Sequence, residues 1–330
     1  MKRTLIYIAV IILFGSNVSC KKGSKGETSY LPNVTGGAGE IVLVLPKPLW
    51  TDSIGINYKE ILTQEFPYIP QSEPTFDLIS IPNEVFTDIF KSHRSLIINQ
   101  TSSEFKEPKF ILKRDVWASP QTVLYVVGPS FSSIGKFIKK EKEKIIAIFE
   151  QAERDRVIQS AVTYPEVGVV EAVKKKFNAT IKIPKGYTIR KQTDDFMWIS
   201  HETPKISQGL IIYMFPYKEK NTFSAEYLIK KRDEFVSQIP GPTDSSYMTT
   251  SMVFPPDFSA MMFKDRYFGI LRGFWDVYKH PMGGPFISFS TLDEKRQTII
   301  NVEAYVYAPG SKKRNYLRQV EALVYTLEVN

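Results

Sequence analysis

The apolar positions of the chain fall into two regimes. Up to about residue 160, short apolar runs alternate with stretches of helical period; beyond residue 180, short runs joined by turns dominate. Ile41–Leu45 is a continuous apolar run closed by Pro46 and Pro48, the pattern of a buried strand. Tyr58, Ile61, Leu62 and Phe66 have helical spacing and stop at Pro67. A strand over Phe76–Ile81 and a helix opened by Pro82, with Val85, Phe86, Ile89 and Phe90 as its stripe, follow. Arg94–Asn99, Lys109–Asp115 and Thr122–Val127 read as strands, and Ser132–Gln159 as one long helix with Ile134, Phe137, Ile138, Ile145, Ile148, Phe149 and Ala152 on its buried side. In the second half, Thr180–Ile183, Tyr187–Gln192, Phe196–Ser200, Leu210–Phe215, Tyr247–Val253, Gly269–Tyr278, Pro285–Thr291 and Thr298–Tyr307 read as strands. Ser224–Gln238 and Lys312–Tyr325 read as amphipathic helices. This pattern predicts an α+β protein of two halves, 31–165 and 166–330, parting near Ala161–Val170, each a mainly antiparallel sheet covered by helices.

The first thirty residues follow neither regime. Lys2 and Arg3 precede an apolar run from Thr4 to Phe14, then small and polar residues end on Cys20, the only cysteine. This is the layout of a secretory signal peptide over 1–19, with an apolar run too short for a permanent span. Val18-Ser19-Cys20 resembles the end of a bacterial lipoprotein signal, which implies that Cys20 is lipidated; Asn17 departs from that motif, where an aliphatic residue is commoner. Residues 20–30 then read as the lipidated cysteine and a flexible tether, since Lys21–Tyr30 offers nothing apolar before Tyr30. The expected location is the cell envelope, at the outer membrane, held by the lipid anchor.

Charge and residue types narrow the chemistry. The chain carries 43 Lys and Arg against 35 Asp and Glu, a formal net charge of +8, and loss of the signal would leave +6 spread along the chain. That suits anionic headgroups or acidic glycans and gives no reason to expect nucleic acid. The three histidines, His93, His201 and His280, lack metal-ligand spacing and no thiolate is available, so no His/Cys metal site and no cofactor is expected, while a carboxylate site stays open. Gly128-Pro-Ser-Phe-Ser-Ser-Ile-Gly135-Lys136-Phe137 enters a helix as a nucleotide loop would, but its glycines are too far apart and Phe137 stands where Ser or Thr must hold magnesium. Gly36, Gly37 and Gly39 precede a strand rather than follow one, which reads as a turn or a close backbone approach.

Two stretches remain as candidate ligand sites. At His93-Arg94 a helix gives way to a strand; the pair either caps the helix's carbonyl end or faces an anion. In the strand from Gly269, alternation sets Leu271, Trp275 and Val277 on one side and Arg272 and Asp276 on the other, while the Thr298 strand groups Asn301, Glu303, Tyr305 and Tyr307. Arg272, Asp276 and Glu303 are then either one ligand-binding face or members of internal ion pairs.

Several of these stretches carry a family resemblance. Leu31–Ile41, Phe90–Arg94, Arg272–Asp276, Met282–Phe286, Tyr305–Pro309 and Arg314–Gln319 resemble a lipoprotein family of the Bacteroidota known as a domain of unknown function, DUF4837, across nearly all of the mature chain. Thr180-Ile-Lys-Ile-Pro-Lys-Gly-Tyr187 resembles the opening of the domain shared by the photosystem subunit PsbP and the transport factor Mog, which implies a PsbP/Mog-like C-terminal half. The family brings no established activity and no catalytic residues. The expectation is a lipid-anchored envelope protein, non-catalytic, that binds or scaffolds an envelope protein or glycan. The alternative is an envelope-polymer hydrolase with Asp276 and Glu303 as acid and base, which requires carboxylates about 5–9 Å apart.

Overall fold

Strands that are apolar on both faces organise the first half. In the computed structural model, which describes residues 30–330, β1 (Glu40–Val44), β2 (Asp77–Ile81), β3 (Ser95–Thr101), β4 (Lys109–Arg114) and β5 (Thr122–Gly128) form a five-stranded sheet in the order β2-β1-β3-β5-β4. One face of β1 packs Ile41 and Leu43 against α1 (Ser53–Leu62), α3 (Phe131–Lys140) and α4 (Lys142–Thr163). The other packs Val42 and Val44 with Leu96 and Val123 against Phe86, Phe90 and Trp117, beside the short α2 (Asp88–Lys91). The mainly antiparallel expectation is corrected here: β2, β1, β3 and β5 run parallel, and only β4 pairs antiparallel with β5. The physical reason is cover on both faces, the condition in which parallel sheets occur and in which strands read as continuous apolar runs.

The long helix predicted from residue 132 is also two. α3 ends and α4 begins at Glu141, whose backbone (φ −101°, ψ 25°) leaves helical geometry, and α4 runs on to Thr163. The Ser130 side chain accepts from the Ser133 N–H to start α3. After α4 comes a helix not predicted above, α5 (Val167–Phe177), whose Val169, Val173 and Phe177 lie on one buried side and which ends on the left-handed Asn178 (φ 52°).

The second half holds an antiparallel sheet of eight strands, which brings the whole to the α+β class. β6 (Ala179–Thr180) and β15 (Glu328–Val329) form a small separate pair. The large sheet has β7 (Thr188–Gln192), β8 (Phe196–Glu202), β9 (Ser207–Pro216), β10 (Met248–Thr250), β11 (Asp257–Phe263), β12 (Arg266–Val277), β13 (His280–Asp293) and β14 (Thr298–Tyr307). Its order is β10-β12-β13-β14-β9-β8-β7, with β11 also on β12. β11, not legible as a strand, is tied to β12 through Lys264-Asp265, both at positive φ as a tight hairpin turn requires.

Each face of this sheet has its own helix. α6 (Ala225–Val236) covers Leu271, Trp275, Phe286 and Tyr305, while α7 (Arg314–Val324) covers Ile270, Ile287, Val302 and Ala304 with Leu317, Val320 and Leu323. α7 is buried on both sides, and its polar flank reaches the first half. Glu73, itself buried, accepts from the Lys313 and Arg314 backbone N–H groups at 2.6 and 3.2 Å, placing a carboxylate at the helix N-terminus. Arg314 Nη2 donates to Asp77 at 2.6 Å, and Arg318 pairs with Glu150 and donates to the Thr75 carbonyl at 2.6 Å. Residues 32–330 form one compact unit in which this ionic seam joins the sheets.

Candidate functional site

The residues expected to share one face of β12 and β14 do not. Register decides the matter: Glu303 stands opposite Ser288 of β13, and Ser288 opposite Leu271 of β12. Glu303 therefore shares a face with Leu271, and Arg272 and Asp276 lie on the other side. Glu303 lies under α6, where Arg232 Nε and Nη2 donate to its two oxygens at 2.8 and 2.7 Å, with both side chains fully buried. Arg232 also donates to Thr250 Oγ1 and stacks 3.8 Å over the Phe286 ring. Burial pushes the Glu303 carboxyl above the usual range, against the pull of Arg232. On the far face Arg272 forms a bidentate pair with Glu321 of α7, at 3.2 and 2.6 Å. Asp276 is half-buried at a hollow with Phe254, Phe274 and Ile69. With the sheet between them, Asp276 and Glu303 do not form the acid–base pair expected of a hydrolase.

His93 is buried against the glycine turn: a Cβ on Gly36 would fall 2.2 Å from its Nε2. Its Nδ1 lies 3.1 Å from the Ser95 carbonyl and Nε2 3.5 Å from Glu40. Burial lowers its pKa below 6.5. Arg94 turns away from it, donating to Glu153 at 3.0 Å and lining a cleft near α7. The pair is thus split between two environments. Cys20 and the signal and tether segments lie outside the described residues.

What the sheet does build is an aromatic groove of about 670 Å³ on the α6 side, lined by Trp198, Trp275, Tyr305, Tyr307 and Met282. Trp275 and Tyr305 are its buried floor, with rings 5.7 Å apart edge to face. Trp198 and Tyr307 are half-exposed walls, and Trp198 Nε1 donates to the Tyr305 hydroxyl at 2.8 Å. Gly209 opposite makes room, since a Cβ there would fall 2.0 Å from the Tyr305 ring. Burial pushes the Tyr305 hydroxyl up to about 12, so it stays neutral and can donate. Arg190, Glu202 and Lys205 stand at the rim, and Pro204, Pro240, Pro242 and Pro309 fix the groove's edges. The sequence pattern grouped Tyr305 with Tyr307 but missed Trp198; its signal was a large aromatic at an alternating position of a half-open strand. Among the described residues no cluster of three or more His, Cys, Asp or Glu could hold a metal ion, and no helix is long and apolar enough to cross a membrane.

A two-sheet α+β protein with an aromatic groove on its antiparallel sheet is the class these observations define. Residues 166–326 match the model of a domain of unknown function, DUF4837. Residues 34–162 match a separate domain of unknown function, DUF8532, so the expectation that one family spans nearly the whole chain is corrected. No curated protein matches the sequence. Among solved structures, the Ran-binding protein Mog1p of Saccharomyces cerevisiae aligns at 9% identity over 46% of this chain and 89% of its own, with a TM-score of 0.33. A Bacteroides thetaiotaomicron structure aligns at 12% identity over 46% of this chain and 45% of its own, with a TM-score of 0.21. The human StarD13 lipid transfer and protein localization domain aligns at 8% over 48% and 95%, with a TM-score of 0.23. Superpositions this loose carry no argument about role.

Proposed function

We propose that this protein is a lipid-anchored envelope protein, non-catalytic, whose folded part binds a glycan of the cell envelope in the aromatic groove. The observation that carries the reading is the pairing of half-exposed Trp198 and Tyr307 over a buried aromatic floor. Sugar rings present apolar C–H faces that stack on indole and phenol planes, while Arg190 and Glu202 offer hydrogen bonds at the rim. The volume, about 670 Å³, suits an oligosaccharide segment rather than a single ion. The signal-like start supports attachment to the outer membrane through Cys20.

The test is titration of purified full-length protein with glycans isolated from its own envelope. Saturable binding that Trp198→Ala and Tyr307→Ala each weaken at least about tenfold is expected. Capture of an envelope protein in place of any glycan would replace the ligand class. Anchoring is tested separately by Cys20→Ala, which should abolish acyl labelling and release the protein from the membrane fraction.

A further inference from the structure

Three stretches singled out in the sequence converge on a second cleft, of about 370 Å³, that the groove does not account for. Ala38 comes from the glycine-rich segment, Arg94 from the helix-to-strand junction, and Pro184, Lys185 and Tyr187 from the turn ahead of β7. That turn is held on its neighbour: Gly186 has φ 99° and a Cβ there would fall 3.0 Å from the His201 ring.

The lining is cationic. Arg94, Arg156, Lys185 and Arg318 face it with Glu153 as the sole carboxylate. Glu153, 7% exposed, is divided between two partners, Arg94 at 3.0 Å and Arg156 at 2.8 Å. Arg318 is matched from outside by Glu150, and Lys185 has no ion-pair partner among the described residues. Two positive charges are therefore uncompensated. Burial, with Arg94 and Arg114 adding to it against Glu153, pushes Arg156 down to about 10. A second observation is independent of the charge balance. Of the Arg94 guanidinium only Nη2 is engaged, by Glu153, and Nη1 has no hydrogen-bond partner among the described residues, as is true of the exposed Lys185 Nζ, so both are open donors at the cleft.

We propose that this cleft binds a small organic phosphate ester, with its phosphate held by Arg94 and Lys185, Arg156 adding its charge from behind them, and its body against His201, Gln208 and Gln319. A phosphate monoester carries a charge of about −1.5 to −2 at neutral pH, which matches the two uncompensated cations. The volume is that of a small-molecule site, and the Gln208 and Gln319 amides beside the His201 ring suit a hydroxylated body.

Calorimetric titration of the full-length protein in detergent tests this, with glucose 1-phosphate, inorganic phosphate and malonate as probes at matched ionic strength. Saturable binding of glucose 1-phosphate, tighter than inorganic phosphate and weakened at least about tenfold in Lys185→Glu and Arg94→Gln, is the expected result. Lys185 is exposed and makes no side-chain hydrogen bond or ion pair among the described residues, so Lys185→Glu should keep the wild-type melting temperature even where Arg94→Gln does not. Trp198→Ala should leave this binding unchanged, which separates it from the groove. No saturable heat beyond chloride, or affinity unchanged in Lys185→Glu, overturns the site. Malonate binding as tightly as glucose 1-phosphate overturns the phosphate assignment, and equal affinity for inorganic phosphate overturns the organic body.

Discussion

Arg232 and Glu303 form a bidentate ion pair with no solvent contact, two hydrogen bonds of 2.8 and 2.7 Å between side chains that are each 0% exposed. The pair is sandwiched between α6 and the sheet, with Phe286 against the guanidinium plane. Removing one member leaves a buried charge alone. Glu303→Gln and Arg232→Met should each destabilise by about 3–5 kcal/mol, and the double replacement Arg232→Met with Glu303→Leu should recover much of the loss. Urea denaturation of the three variants measures this. A Glu303→Gln midpoint equal to wild type would refute it.

Three neighbours on β12 should respond in three ways. Trp275 is 1% exposed and donates Nε1 to the Val306 carbonyl, so Trp275→Ala should cost about 3–5 kcal/mol. Arg272 and Glu321 are 24% and 12% exposed, and a double-mutant cycle between them should give a coupling of about 1–3 kcal/mol. Asp276 is half-exposed and forms no hydrogen bond or ion pair among the described residues, so Asp276→Ala should stay within about 0.5 kcal/mol. Thermal melts rank them, and Asp276→Ala falling as far as Trp275→Ala would contradict the assignment.

Two glycines should give opposite signs. Gly39 has φ 75°, and a Cβ would fall 2.8 Å from Arg318 Nη1 and 3.0 Å from Arg314 Nη2, so Gly39→Ala should destabilise by about 1–3 kcal/mol. Gly168 sits in the first turn of α5 with nothing within 4 Å of a Cβ, so Gly168→Ala should stabilise by about 0.5–1 kcal/mol. Denaturant midpoints of the two single variants decide both.

His93 should add a pH-dependent component to stability. Burial favours its neutral form, outweighing the hydrogen bonds to Ser95 and Glu40, so its folded pKa lies below 6.5. The unfolded chain therefore binds the proton more readily. The stabilisation is complete above 6.5 and is lost as pH falls through the folded value. The stability difference between wild type and His93→Gln should narrow over that descent, as read from melts at stepped pH. A constant difference from pH 7.5 to 5 would exclude the effect.

Much of the element order was legible because burial leaves a local trace. β1, β3 and β5 read as apolar runs, β12 and β14 as alternation, and α7 by its helical stripe. α5 was not read, although Val169, Val173 and Phe177 recur at helical spacing and pack into the core under β8 and β9; the short helix follows α4 after only three residues, where the sequence reading placed the break between the halves. Strand direction in the first sheet was not legible either: an apolar run shows that both faces are covered and says nothing of which neighbour lies alongside.

The sequence by itself determined which side chains of β12 share a face, because alternation is a property of one strand. It set Trp275 with Leu271, and both are core. Whether Arg272, Asp276 and Glu303 belong together was decided only by tertiary structure. Register across β12, β13 and β14 is fixed by hydrogen bonds between distant segments, and a shift of one residue exchanges the faces. Likewise Lys185, Arg94 and Arg318 meet only because α7, packed on the second sheet, carries its arginines to carboxylates of the first. No local pattern encodes a meeting between residues so far apart in the chain; the packing of both sheets about one helix creates it.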